Sequence, residues 1–147
     1  MRHIAAAGTV AIARERLLER LVDVQPPAGA SLPATDVTAL IRLRRFGGDA
    51  LLGKMIDLFL VAAPERIEAA VRAEAAGDVT GVEQALHSLK SSSAQLGALH
   101  MQRLSERGEH QARGGSLEGI ALLTSELDAE LARVRDWLTT AREEGAA

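Results

Sequence analysis

Long segments of this chain repeat apolar residues at the spacing of an α-helix, and glycine or proline separates one segment from the next. Aromatic residues make up only 2% of the chain, and strand-forming residues are sparse. Short connections force consecutive helices to pack antiparallel. The sequence therefore predicts an all-α fold: an antiparallel up-down four-helix bundle with a short additional helix and an N-terminal helical appendage.

The four long helices can be placed from their breakers. The first is expected from Asp49 to about Ala76, the second from a capping box at Thr80-Gly81-Val82-Glu83, the third from about Ala98 to Arg113, and the fourth from about Ser116 to Arg142. Pro64 lies inside the first and should kink it or remove one backbone bond near Leu60. The short additional helix should begin at Thr35 or Asp36 and run to about Arg45, where Gly47-Gly48 closes it.

The N-terminal part of the chain has a different composition. Residues 9–24 have helical periodicity, and 25–33 contain three prolines that cannot continue a helix. We therefore divide the chain into an appendage with a proline-rich linker, 1–34, and a bundle domain, 35–147. The appendage could cap the bundle, dimerise, or be the tail of an upstream domain.

Composition also excludes several classes of function. A net charge of −3 without a basic stripe argues against nucleic-acid binding, and the lack of cysteine excludes disulfides and thiolate metal sites. No segment approaches the roughly 18 apolar residues that a membrane helix needs, so direct membrane insertion is not expected. The apolar N-terminus runs into Arg14-Glu15-Arg16, which disfavours a signal peptide. We expect a cytoplasmic protein.

The second helix carries a histidine on its polar side. With His87 at zero and 100° per residue, the opposite face carries a core stripe, which consists of Val82, Leu86, Leu89, Ser93 and Leu96. Within about 60° of His87 lie Thr80, Glu83, Gln84, Lys90, Ser91 and Ala94. The imidazole should therefore point outward from a rigid helix, among small and polar neighbours that leave room for a partner.

The run from Ala85 to Ala98, with His-x-Leu-Lys-x-Ser-Ser-x-x-Leu-Gly-Ala inside it, resembles the signature of histidine phosphotransfer (HPt) domains of multistep two-component phosphorelays. The resemblance extends over about residues 35–143. It differs at Ser91, where the family usually has glycine. Flanking segments that also resemble the family are Phe46-Gly47-Gly48-Asp49, Leu58-Phe59-Leu60, Ala63-Pro64-Glu65-Arg66 and Gly77-Asp78.

The resemblance implies that His87 accepts a phosphoryl group from a receiver aspartate and passes it to another receiver. Lys90, one turn further on, can offset the negative charge of the phosphate, and Ser91 can offer it a hydroxyl. A receiver would contact Glu83, Gln84, Ala94 and Gln95. Glu109 and Arg113 are the candidates for a residue that orients the histidine from the neighbouring helix. The chain should need no cofactor of its own, since Mg²⁺ is expected on the receiver.

The expected partners are receiver domains and a sensor histidine kinase, and the chain is expected to be a monomer. The resemblance also fits the C-terminal HPt domain of a hybrid sensor histidine kinase, which would place it on the cytoplasmic side of a membrane. The chain itself lacks a glycine-rich ATP lid, so it is expected to be a carrier and not an enzyme.

His100 and His110 are too far apart on one helix to chelate a metal as an i, i+4 pair.

The alternative function is a helical interaction module, a degenerate HPt fold, that binds a receiver or another signalling partner without phosphoryl transfer.

Overall fold

The computed structural model describes residues 32–146. Four helices follow one another: α1 (Val37–Ala75), α2 (Val79–Gln95), α3 (Leu99–Arg113) and α4 (Ile120–Ala146). Each packs on its neighbours in the chain, and α1 also packs on α4, which closes the ring. The predicted all-α bundle is confirmed for this part of the chain. The predicted helix over 9–24 lies outside the described residues.

Helix α1 contains the predicted short helix and the predicted long helix in one element. Gly48, with φ of 74° and ψ of −172°, is the residue inside α1 whose backbone angles are not helical, and it separates the two. The Asp36 carboxylate caps the start by accepting a hydrogen bond from the Thr38 amide at 3.0 Å. Around Pro64 the backbone stays helical. Pro64 therefore removes the backbone hydrogen bond to the Leu60 carbonyl without breaking the helix.

Two predicted helix starts are wrong. Helix α2 is capped by Asp78, whose carboxylate accepts from the Gly81 amide at 2.9 Å, and not by the Thr80 box. Helix α4 begins at Ile120 and not at Ser116, because Gly119 has a φ of 78°, in the left-handed region, and so lacks regular helical backbone angles. Helix α4 also continues past Arg142 to Ala146.

The turn between α2 and α3 is tied to the start of α1. The Asp36 amide donates to the Gly97 carbonyl at 2.8 Å, and the His100 amide donates to the Ala34 carbonyl at 3.0 Å. Gly97 has a φ of 75°, and a Cβ there would collide with the Asp36 carbonyl. Only glycine fits where the chain at position 97 passes so close to the Asp36 carbonyl. This close contact fixes the C-terminal end of α2.

The core includes the stripe predicted on α2. The α2 stripe is buried throughout, and so are Leu123, Leu127, Leu131, Val134 and Leu138 on α4. Ser93 lies in this core, and its hydroxyl has no hydrogen-bond partner among the described residues. The hydroxyl of its neighbour Ser92 donates to the carbonyls of Ser88 and Leu89, each at 3.2 Å. None of the four helices is both long enough and apolar enough to cross a membrane.

Candidate functional site

His87 lies near the middle of α2 with its side chain 61% exposed. It points away from the core stripe, as the helical wheel predicts. Gln84, Ser91, Ala94 and Gln95 are exposed on the same side of the bundle. A side chain on a regular helix, held by a packed opposite face, has a fixed position from which it can meet a partner.

A buried carboxylate on α3 is the principal contact of His87. The Glu109 side chain is only 2% exposed, and its Oε2 lies 2.7 Å from Nδ1 of His87. Its Oε1 lies 2.7 Å from Nζ of Lys90. One carboxylate thus fixes both residues of the His-Lys pair, and Lys90 is held with 27% of its side chain exposed.

Close packing of α3 against α2 brings Glu109 to this place. Gly108 is buried, and a Cβ there would collide with Leu86 of α2 and press on Leu123 of α4. The missing side chain lets the two helices approach, so a short glutamate can reach across the interface. Met101, Leu104 and Ala112 are buried on the same helix and set its rotation.

Arg113 extends the cluster along α3. Its Nη2 lies 2.6 Å from Oε2 of Glu109, one helical turn earlier, and its Nε donates to Oε2 of Glu83 at 2.9 Å. Glu83 belongs to α2, so the guanidinium links the two helices beside His87. The two candidates for orienting the histidine therefore share one network, in which Glu109 makes the direct contact.

The charge of Glu109 follows from this network. Burial alone would raise the pKa of its carboxyl, but hydrogen bonds from Lys90 and His87, together with their charges, outweigh burial and lower the pKa below the ordinary 4.5. Hydrogen bonding to Glu83 and the charge of Glu109 raise the pKa of Arg113. Glu109 is therefore an ionised carboxylate at neutral pH.

The ionised carboxylate decides which ring nitrogen can react. A carboxylate only accepts hydrogen bonds, so Nδ1 of His87 must carry the proton. In the neutral imidazole the lone pair then belongs to Nε2, across the ring. Nε2 has no hydrogen-bond partner among the described residues. The site presents one oriented nitrogen nucleophile at the surface.

Two depressions lie along α2, and the first of them includes the histidine. One, of about 390 Å³, is lined by Thr80, Glu83, Gln84, His87, Glu109 and Arg113. The other, of about 180 Å³, lies between α1 and α2 and is mostly apolar, with Met55, Leu58 and Ala62 facing Ser92 and Gln95. Leu58 is 55% exposed and its neighbour Val61 is 64% exposed.

No role was predicted from the sequence for the α1 residues that line the second depression. Their signal is the run Leu58-Phe59-Leu60-Val61, which holds more apolar residues than one helix face can bury. Among the described residues, no three His, Asp or Glu side chains converge as metal ligands.

Comparisons with known proteins agree on one family. Residues 54–137, more than half of the chain, match the family profile described as Hpt domain. The crystal structure of histidine-containing phosphotransfer protein B (HptB) from Pseudomonas aeruginosa PAO1 superposes with a TM-score of 0.72 at 27% identity, covering 78% of this chain and 98% of that one. No curated protein matches the sequence.

Two more distant structures share the fold. The HPT domain from the Hpt sensor hybrid histidine kinase of Shewanella gives a TM-score of 0.63 at 20% identity, over 78% of this chain and 97% of that one. A putative histidine-containing phosphotransfer protein from rice gives 0.66 at 16% identity, over 93% of this chain and 95% of that one.

Proposed function

The chain belongs to the Hpt domain family, and from this premise we propose that it carries phosphoryl groups on His87 between receiver domains of a two-component phosphorelay. The observation that supports this most is the outward imidazole whose Nδ1 is held by a buried carboxylate while Nε2 stays without a partner among the described residues. The proposed reaction is the same for a free carrier and for the C-terminal domain of a hybrid sensor kinase.

In the proposed reaction Nε2 of His87 attacks the phosphorus of a receiver's aspartyl phosphate. The N–P bond forms with the nitrogen lone pair, and the electrons of the breaking P–O bond go to the receiver's aspartate. The chain contributes position and charge, which is most of what phosphoryl transfer asks of an acceptor. Mg²⁺ belongs to the receiver in this scheme, and the chain supplies no cofactor.

The surrounding residues have separate proposed roles. Lys90, held beside His87 by Glu109, offsets the charge of the transferred group, and the exposed Ser91 hydroxyl can donate to it. Glu83, Gln84, Ala94 and Gln95 contact the receiver. We place these encounters in the cytoplasm or on the cytoplasmic side of a membrane, with a sensor histidine kinase as the source of phosphoryl groups.

The test is transfer of label from a phosphorylated receiver to the chain. The wild type should acquire a label that is lost in acid and persists in base. His87→Gln should acquire none while keeping its helicity, because an exposed side chain contributes little to stability. His110→Gln changes an exposed histidine on α3 and serves as the matched control. Labelling of the His87 variant would contradict the proposal.

The alternative, an interaction module without phosphoryl transfer, rests on Ser91 at the position where the family usually has glycine. A receiver-binding measurement separates the two functions. Equal affinity of the wild type and His87→Gln, with no label on either, would favour the module. Light scattering at high concentration tests the expected monomer at the same time.

A further inference from the structure

The group that holds Nδ1 of His87 is a carboxylate, and this has a chemical consequence. The Oε2 atom of Glu109 lies 2.7 Å from Nδ1. A side-chain amide could turn either its oxygen or its NH₂ toward the ring, but a carboxylate can only accept. The environment of Nδ1 is therefore favourable only while that nitrogen carries a proton.

We propose that Glu109 keeps the proton on Nδ1 of His87 while Nε2 carries the phosphoryl group, so that the chain holds its phosphohistidine in the readily transferred form. The inference rests on the proposed function, which makes His87 the phosphoryl acceptor. It assigns Glu109 as a positioning residue that acts through His87, without touching the phosphoryl group.

The electron count explains why the proton matters. Attack by Nε2 produces a ring that is phosphorylated on one nitrogen, protonated on the other, and positively charged. When a receiver aspartate then attacks the phosphorus, the N–P electrons return to Nε2, and a neutral imidazole leaves with its proton still on Nδ1. If Nδ1 had lost its proton in between, an imidazolate, a much poorer leaving group, would have to leave instead.

The structure opposes that loss of the proton. A bare Nδ1 would direct its lone pair at the carboxylate oxygen over a distance of 2.7 Å, and two acceptors facing each other repel. Glu109 cannot easily turn away, because Oε1 is bound to Lys90 and Oε2 also accepts from Arg113. The Glu109 side chain is only 2% exposed, so little water can replace these donors around its carboxylate.

The other charged groups around the ring leave room for its positive charge. Helix α2 contributes Glu83 and Lys90, and α3 contributes Glu109 and Arg113. Among the described residues, α1 and α4 contribute no ion pair to this cluster. The two cations and two carboxylates balance, so the added phosphoryl group makes the site negative and favours a protonated ring.

The experiment loads the chain with a small-molecule phosphodonor, phosphoramidate, so that it does not depend on any receiver. The lifetime of the label is then measured against pH for the wild type, Glu109→Gln and Glu106→Gln. Glu106 is an exposed glutamate on the same helix and provides the matched control. Ring nitrogen-15 NMR spectra of the labelled protein report directly whether Nδ1 carries a proton.

Near pH 8 we expect Glu109→Gln to keep its label about tenfold longer than the wild type, because about tenfold fewer of its rings would carry the Nδ1 proton. In mild acid the lifetimes of the label in the two proteins should converge, since the ring is then protonated in both. Glu106→Gln should follow the wild type throughout. A loosened structure would instead change the lifetime at every pH, including mild acid.

The wild type provides a second comparison that needs no variant. In the NMR spectra, the folded labelled protein should keep the Nδ1 proton to higher pH than the same labelled protein unfolded in urea. Identical profiles for wild type and Glu109→Gln, identical folded and unfolded titrations, or failure of phosphoramidate to label His87 would each overturn the inference. A shifted profile without transfer from any receiver would instead count against the proposed relay.

Discussion

At the scale of single residues, Glu109 decides how the site works. Its neighbours in the sequence suggest an exposed i, i+4 ion pair with Arg113, and helix periodicity alone leaves its environment open. The structure buries its side chain and gives it three donors, His87, Lys90 and Arg113. His87 and its phase on α2 could be predicted from the sequence. The family resemblance made Glu109 one of two candidates for orienting the histidine, but which of them makes the direct contact depends on how α2 and α3 pack, which the sequence does not show.

Glu109→Gln should change how stability depends on pH. Because the pKa of Glu109 is lowered by folding, its ionised form stabilises the protein above the unfolded-state value, and this contribution is lost as pH falls through the folded-state value. The wild type should therefore lose unfolding free energy as the pH falls below the ordinary glutamate pKa of 4.5, and the variant should lose less.

Urea unfolding at neutral and acidic pH measures this difference. At neutral pH Glu109→Gln should be less stable than the wild type by about 1–3 kcal/mol, because a charged hydrogen-bond acceptor is removed from a buried site. This difference in unfolding free energy should narrow in acid. Glu106→Gln should keep nearly the wild-type unfolding free energy at neutral pH. A difference between Glu109→Gln and the wild type that widens in acid would contradict the prediction.

At the scale of elements, the approach of α3 to α2 places the carboxylate. Gly108→Ala should force the two helices apart, because the new Cβ would collide with Leu86 in a filled core. Overpacking of this kind costs about 1–3 kcal/mol, and the gain in helix propensity returns up to about 1 kcal/mol. We expect a net loss of stability and slower loading of His87.

Thermal unfolding and the rate of transfer from a phosphorylated receiver check this prediction together. Gly114→Ala is the matched control, because a Cβ there would meet its neighbours at 3.5 Å and 3.7 Å, ordinary contact distances. If Gly108→Ala transferred at the wild-type rate, close packing at this position would have no part in placing Glu109.

Helix boundaries show what local sequence can and cannot predict. Gly77 and Gly114-Gly115 lie just past the ends of α1 and α3, and Gly48 marks the break inside α1 where the sequence predicts a helix end. The start of α2 was misplaced because Asp78 and Thr80 are both good capping residues, and the choice between them depends on the path of the preceding turn. The start of α4 was misplaced because a glycine with positive φ looks like any other in the sequence.

At the scale of the whole molecule, the bundle places apolar α1 residues beside the polar face of α2. Leu58 is exposed there and shares a groove with Gln95, one of the proposed receiver contacts. Leu58→Asp should weaken receiver binding by roughly tenfold to a hundredfold, since burying a leucine at an interface contributes roughly 1.5–3 kcal/mol and each 1.4 kcal/mol is tenfold in affinity. The fold should persist because the side chain is already in contact with water.

Titration calorimetry with a receiver domain measures the affinity. Leu122→Asp is the matched control, because Leu122 is 68% exposed on α4, away from this groove. Equal weakening by both variants would mean that added negative charge, and not the α1 groove, causes the effect. No weakening by either would place the receiver elsewhere.

His87 stands alone in the middle of one rigid helix face, and this sets the order of events in any relay that uses it. The domain that delivers the phosphoryl group and the domain that removes it must cover the same face, so they cannot be bound together. Exchange is then serial, and each complex must dissociate before the next can form. An abundant unloaded acceptor would compete with the donor for that face, so the ratio of the two receivers, as much as their chemistry, would govern the flow of signal.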